Sequence, residues 1–246
     1  MLLAAIAART QTIGLGSTSY LLPIRHPIQA AEEVAVLDRL SGGRVILGIE
    51  RGFRNEMFTG FNVPVKDKRK LFKENLEVMI RAWRGESITA GTESIILGPL
   101  PIQKPHPRIW VAAFGPLAIK QVGSLGLPYI ASPQETMSVL ATNFAAHRKH
   151  IIDAGHSAIT TIPVMRTVFI SARSSLPKQV RNTLDTRAEP LNEWAIVGDE
   201  AFVTDKLEEY KACFGLNYLI ARGRIPGIEN SDQTTSHEAL AKLTAT

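Results

Sequence analysis

Apolar positions along this 246-residue chain alternate between two patterns. Short apolar runs read as strands: TIGLGS (12–17), RVILGI (44–49), RIWVAA (108–113), LPYIAS (127–132), TIPVMRTVFISA (161–172) and LNYLIAR (216–222). Between them, apolar residues spaced three and four apart predict helices. In HPIQAAEEVAVLDRLSGG, Pro27 suits a first helical position, and Gly42 and Gly43 end the helix. Phe72, Leu76, Met79, Ile80 and Trp83 mark the buried stripe of the next helix. Four more helical segments are GPLAIKQVGSLG (115–126), a histidine- and arginine-rich stretch reaching about Ala154, DEAFVTDKLEEYKACFG (199–215) and a weakly patterned tail from Asp232. Residues 88–107 are rich in Gly and Pro and predict a long helix-free excursion of hairpin kind.

Strands that alternate with helices imply a parallel sheet covered by helices, because every parallel connection needs a crossover. Six such strands fill a doubly wound sheet but cannot close an eight-stranded barrel. The length allows one large core, and a single α/β domain over 1–246 fits it as well as two small domains would. The opening LLAAIAART reads as the last turns of a helix whose first half is absent, so the expectation is that something upstream is missing.

Charge and composition narrow the partners. A net charge of +5 favours anionic ligands, but no block of five or six basic residues marks a nucleic-acid binder. The densest run, KDKRK (66–70), reads as the solvated first turn of a helix. No apolar stretch has the length of a membrane span, and the N-terminal apolar run lacks the basic residues of a secretory signal. The lone Cys213 excludes an internal disulfide and a multi-cysteine metal site, and its apolar neighbours predict a buried side chain. The expectation is a soluble cytoplasmic protein that binds small molecules, with neither nucleic acid nor membrane as a partner.

Candidate chemistry lies where strands end. In parallel α/β architectures ligands sit at the carboxyl ends of strands. In VILGIERGFR (45–54) an apolar strand runs directly into Glu50 and Arg51. Arg51 is either a surface residue paired with Glu50 or Glu56, or an anchor for phosphate, which a guanidinium holds bidentately. Gly48 and Gly52 leave room beside it for a ligand. AAFGPLAI (112–119) is a strand end, a glycine and a helix start, a geometry that presents backbone N–H groups to an anion. Gly16, Ser17 and Thr18 in GLGSTSY are small enough for a flat ring to lie against the backbone, and equally form an ordinary turn. His26, before a helix, reads as a capping or packing residue, and His106, between two prolines, as structural. His147, His150 and His156 lack carboxylate partners at ligand spacing, so no metal site is expected. A phosphate-binding β/α enzyme such as an isomerase is one reading of these features.

Four stretches together resemble the bacterial-luciferase-like flavin-dependent monooxygenases: LLAAIAARTQTIGLGS, LPIRHPIQAAEEVAVLDRLSGGRVILGIERGFRNEMFTGFNV, HPRIWVAAFGPLAIKQVGSLGLP and AIVGDEAFVTDKLEEYKACFGLNYLIAR. The second is the most specific. The resemblance implies a TIM-type β/α barrel lacking its first two β/α units, with reduced flavin at its carboxyl-end face. It implies FMN as cofactor, with a deazaflavin as the alternative, and a flavin-dependent oxidation of a small organic substrate. By the same resemblance Arg51 holds the flavin phosphate, and Ala113, Phe114 and Gly115 form a second phosphate contact through backbone donors. Gly16 and Ser17 match a strand end where the family places a non-proline cis peptide under the flavin ring. The catalytic residues stay unassigned, because the family's active-site histidine segment has no counterpart here. Homodimerisation, a misplaced start or a decayed gene would each account for the exposed strand edges, and a non-catalytic flavin-binding or truncated remnant is the alternative function.

Overall fold

The computed structural model describes residues 1–222 and 224–244. They gather into two compact units, 1–112 and 113–246.

The first unit opens with α1 (Leu2–Arg9), β1 (Leu15–Leu21), α2 (Pro27–Leu40), β2 (Val45–Glu50), α3 (Asn55–Gly60) and α4 (Lys68–Trp83). It closes with β3 (Ile88–Ala90), β4 (Glu93–Ile95) and β5 (Arg108–Ala112). β2 pairs in parallel with β1 on one side and β5 on the other, and Val45 to Ile49 are all buried. Central parallel strands are covered on both faces, which is why this run is continuously apolar instead of alternating. α2 begins at Pro27 and stops before Gly42 and Gly43, both with positive φ, as the sequence predicts. α4 buries Phe72, Leu76, Met79 and Trp83, and the Trp83 indole donates to the Ala31 carbonyl of α2 at 2.8 Å. The excursion from 88 to 107 carries the short antiparallel hairpin β3–β4 and no helix.

β1 differs from its predicted place. It starts later, at Leu15, and runs through Ser17, Thr18 and Ser19 to Leu21. Pairing with β2 extends across these polar residues, so sheet hydrogen bonding overrides the turn-like composition.

The second unit holds α5 (Pro116–Ser124), β6 (Tyr129–Ile130), α6 (Met137–Asp153), β7 (Pro163–Ile170), α7 (Ser175–Leu184), β8 (Ala195–Gly198), α8 (Glu200–Phe214), β9 (Tyr218–Arg222) and α9 (Asn230–Thr244). β7 is central, parallel to β8 and β9. Its inward Phe169 joins Val180, Trp194, Val197, Ile225 and Ile228 in one apolar cluster. α7 and β8 are additions to the predicted pattern. β8 is four wholly buried residues, too short to show a period. Cys213 is exposed, not buried: α8 buries Val203, Leu207, Tyr210 and Phe214, and position 213 lies off that stripe. Among the described residues no helix is long and apolar enough to cross a membrane.

Candidate functional site at the strand ends

In the first unit the carboxyl ends of β1 and β2 adjoin, because Leu21 is in register with Glu50. Arg51 follows at once and is half-buried. Burial and the neighbouring Arg69 guanidinium both lower its pKa from the usual value. A half-buried guanidinium whose charge is disfavoured by a second one nearby makes this strand end favourable to an anion.

The turn that aims Arg51 depends on Gly52. Its φ is +80°, and a Cβ there would lie 2.5 Å from Leu21 Cδ1 and 2.9 Å from Phe58 Cε2. No other residue type fits without displacing these side chains. The Gly52 carbonyl accepts from Lys68 Nζ at 3.3 Å, and the same ammonium lies 5.9 Å from the buried Phe58 ring centroid. Lys68 and Arg69 belong to the KDKRK run that reads as a solvated first turn; Arg69 is exposed as expected, whereas Lys68 is half-buried. The structure brings both to the end of β2, across a stretch of sequence in which nothing but the KDKRK run itself signals them.

The loop after β1 is held from the same helix. Asn75 on α4 donates to the carbonyls of Leu22 and Arg25 at 3.2 and 3.0 Å. Within β1, Ser17 Oγ donates to the Gly48 carbonyl at 3.0 Å, so its proton is committed to the sheet and only its lone pairs face outward. Gly16 is exposed, and a Cβ there would meet nothing nearer than the Ile46 carbonyl at 3.6 Å. The fold therefore does not require glycine at 16, although it does at 52. The Thr18–Ser19 peptide bond is cis, two positions beyond the Gly16–Ser17 bond. His26, read as a capping or packing residue, occupies the N-cap position of α2, and its side chain makes no cap hydrogen bond. His106 packs against Trp83, ring centroids 6.2 Å apart, as a structural residue does.

In the second unit, Ala113 and Phe114 lead from the end of β5 into Gly115, the N-cap of α5. Gly115 has φ +80°, Pro116 takes the first helical position, and no side chain caps this end. Ala113 is half-buried whereas Phe114 is 76% exposed. The first turn of α5 thus presents its positive end without a competing side-chain acceptor.

The second unit also contains a buried polar network that the sequence reading missed. Arg166 of β7 is fully buried and donates to Tyr210 Oη at 2.7 Å and to the carbonyls of Ser132, Met165 and Glu135. Glu135 accepts from Tyr129 Oη at 2.6 Å, Ser132 N at 3.1 Å and Asn143 Nδ2 at 3.0 Å. Burial pushes the Glu135 carboxyl up, against the pull of these donors and of the Arg166 charge. Every partner is supplied by the protein, so this is a satisfied core network. Its members come from four separate segments, and no local spacing could have announced it.

Comparison with known proteins places these strand ends in a family. Luciferase-like monooxygenases, as a family, match residues 1–180. The oxygenase component of the flavin-dependent trigonelline monooxygenase of Acinetobacter baylyi is 33% identical over 122 residues, covering 46% of this chain and 33% of that protein. The oxygenating constituent of 3,6-diketocamphane monooxygenase from Pseudomonas putida, solved with FMN, superposes with a TM-score of 0.84 at 18% identity, covering 99% of this chain and 82% of that one. The coenzyme F420-dependent tetrahydromethanopterin reductase of Methanopyrus kandleri gives 0.73 at 17% identity, covering 99% and 86%. These two likenesses are of fold. The matched regions span between 33% and 48% of the lengths of the curated relatives. With residues 1–180 matched by the family and the parallel α/β fold shared with its solved members, this chain belongs to the luciferase-like monooxygenases.

Proposed function

We propose that this protein is a flavin-dependent oxidoreductase that uses reduced FMN on a small organic substrate, and that Arg51 anchors the flavin phosphate. The observation that carries the reading is the half-buried Arg51 beside Arg69 at the carboxyl end of β2. A phosphate dianion relieves the repulsion between the two guanidiniums, and a bidentate contact fixes its orientation. Lys68 keeps the Gly52 turn in place from below. Gly16 leaves the β1 backbone open to a flat ring, and Ser17 offers it an acceptor. The backbone turn at Ala113, Phe114 and Gly115 is assigned an anion-binding role of its own, through the first turn of α5.

The flavin, when bound, supplies the redox chemistry. The chain's own residues grip the phosphate, support the ring against β1 and shield the strand end from water. Barrel closure around that face, as in a TIM-type barrel, belongs to this proposal. FMN is preferred to a deazaflavin because the basic residues concentrate at one strand end, which suits one compact phosphate. A solved relative named for coenzyme F420 keeps the deazaflavin as the competing cofactor.

The test is a fluorescence titration of the full chain with FMN, riboflavin and coenzyme F420. Arg51 as phosphate anchor predicts FMN binding at least about tenfold tighter than riboflavin. Equal affinities would remove the phosphate assignment, and tighter F420 binding would replace FMN. Tight binding without turnover of any substrate supplied with reduced flavin would favour a non-catalytic flavin-binding protein.

A further inference from the structure

Residues 51–77 hold seven lysines and arginines against three Glu and one Asp, an excess of three out of the chain's net charge of +5. This same segment exposes three large apolar side chains: Phe53 at 75%, Phe61 at 50% and Met57 at 42%. Phe58 is fully buried beneath the Gly52 turn and fixes α3, so Met57 and Phe61, four residues apart, are turned outward. α3 packs on the turn formed by Val65–Asp67, which leads into α4, so the apolar and basic residues share one region of the first unit. Arg54 lies over the Phe53 ring, 5.8 Å from its centroid, and Lys66, Lys70 and Lys73 are exposed, Lys70 lying 3.9 Å from the Glu74 carboxylate in a solvent-exposed pair.

We propose that this region docks the protein on an anionic lipid surface, with Phe53, Met57 and Phe61 entering the headgroup boundary and Lys66, Lys70 and Lys73 facing lipid phosphates. Three features select that occupant. Aromatic residues and Met beside Lys and Arg form the composition of interfacial anchors. Protein–protein interfaces are depleted in lysine, yet lysine supplies four of the seven cations here. Flexible ammonium groups suit a mobile array of headgroups, whose attraction adds up residue by residue. Peripheral docking needs no membrane-spanning helix, and it does not depend on the flavin assignment.

The experiment is co-sedimentation of the full chain with vesicles of phosphatidylcholine alone and of phosphatidylcholine mixed with phosphatidylserine. Binding is expected only to the mixed vesicles and is expected to weaken as salt rises. Replacing Lys66, Lys70 and Lys73 together by Gln should weaken it about a hundredfold. Phe53→Ser with Phe61→Ser should weaken it at least about tenfold, with the circular dichroism of the chain unchanged. No binding to mixed vesicles in low salt would overturn the proposal. So would binding that survives both sets of substitutions. Capture by polyglutamate with indifference to vesicles would overturn it in favour of an acidic protein partner.

Discussion

Asp38 and Gln103 hold the long excursion after α4 against the body of the first unit. The Gln103 side-chain amide donates to Asp38 Oδ1 at 2.6 Å, while the backbone N–H groups of Ile102 and Gln103 donate to Oδ2 at 2.8 and 2.9 Å. Asp38 is fully buried. The same Gln103 amide donates to the Val45 carbonyl at 2.9 Å, at the start of β2. Asp38→Ala leaves three donors without their acceptor and should cost about 2–4 kcal/mol of stability. Urea denaturation of the variant checks this, and an unchanged midpoint would show that water replaces the carboxylate.

Arg51→Ala should weaken FMN binding by about 1.5–3 kcal/mol, roughly tenfold to a hundredfold, by removing a charge-assisted contact. Riboflavin, which lacks the phosphate, should bind the variant and the parent alike. Loss of both ligands together would assign Arg51 to the fold instead.

Gly16 and Gly52 separate what the fold needs from what a ligand needs. Gly52→Ala combines a positive φ with close contacts to Leu21 and Phe58 and should destabilise by about 2–4 kcal/mol. Gly16→Ala makes only ordinary contacts, so thermal stability should stay within about 0.5 kcal/mol. If a flavin ring lies against β1, Gly16→Ala should nevertheless weaken flavin binding. A stable Gly16→Ala variant with parental affinity would move the ring elsewhere.

Three tyrosines resist ionisation. Burial and Glu33 push Tyr20 up to about 12, burial and Glu135 push Tyr129 up further, and burial raises Tyr210. A pKa raised in the folded state means stability held in full below the unfolded value of about 10 and lost as pH climbs through the folded value. The chain should therefore lose stability from about pH 10 upward, with Tyr20 ionising near 12. Followed against pH, tyrosinate absorbance beyond that of one of the four tyrosines should rise together with loss of helical dichroism. A rise near pH 10 equivalent to two or more tyrosines, in a chain that stays folded, would contradict the burial of these phenols.

Much of this was legible in the residues. The Pro27 start and double-glycine stop of α2, the buried stripe of α4 and the Arg-Gly turn after β2 are local patterns, and local patterns can be read along the chain. β8 escapes because four buried residues have no period, and the far end of β1 is cut short because its polar residues belong to a strand only when β2 lies beside them. The charge at the end of β2 was half-read. Arg51 follows its strand, but Lys68 and Arg69 reach it through the packing of α4. The Glu135–Arg166 network is wholly tertiary, and its residue types looked like ordinary surface polarity in one dimension.

α4 has one more implication. Asn75 carries the loop after β1, and Lys68, two turns earlier on the same helix, carries the turn after β2. The two loops therefore share a single spine and cannot be re-tailored one at a time. A designer who lengthens one for a bulkier substrate must preserve the seating of Phe72, Leu76 and Met79, since a slip of this helix would carry both loops with it.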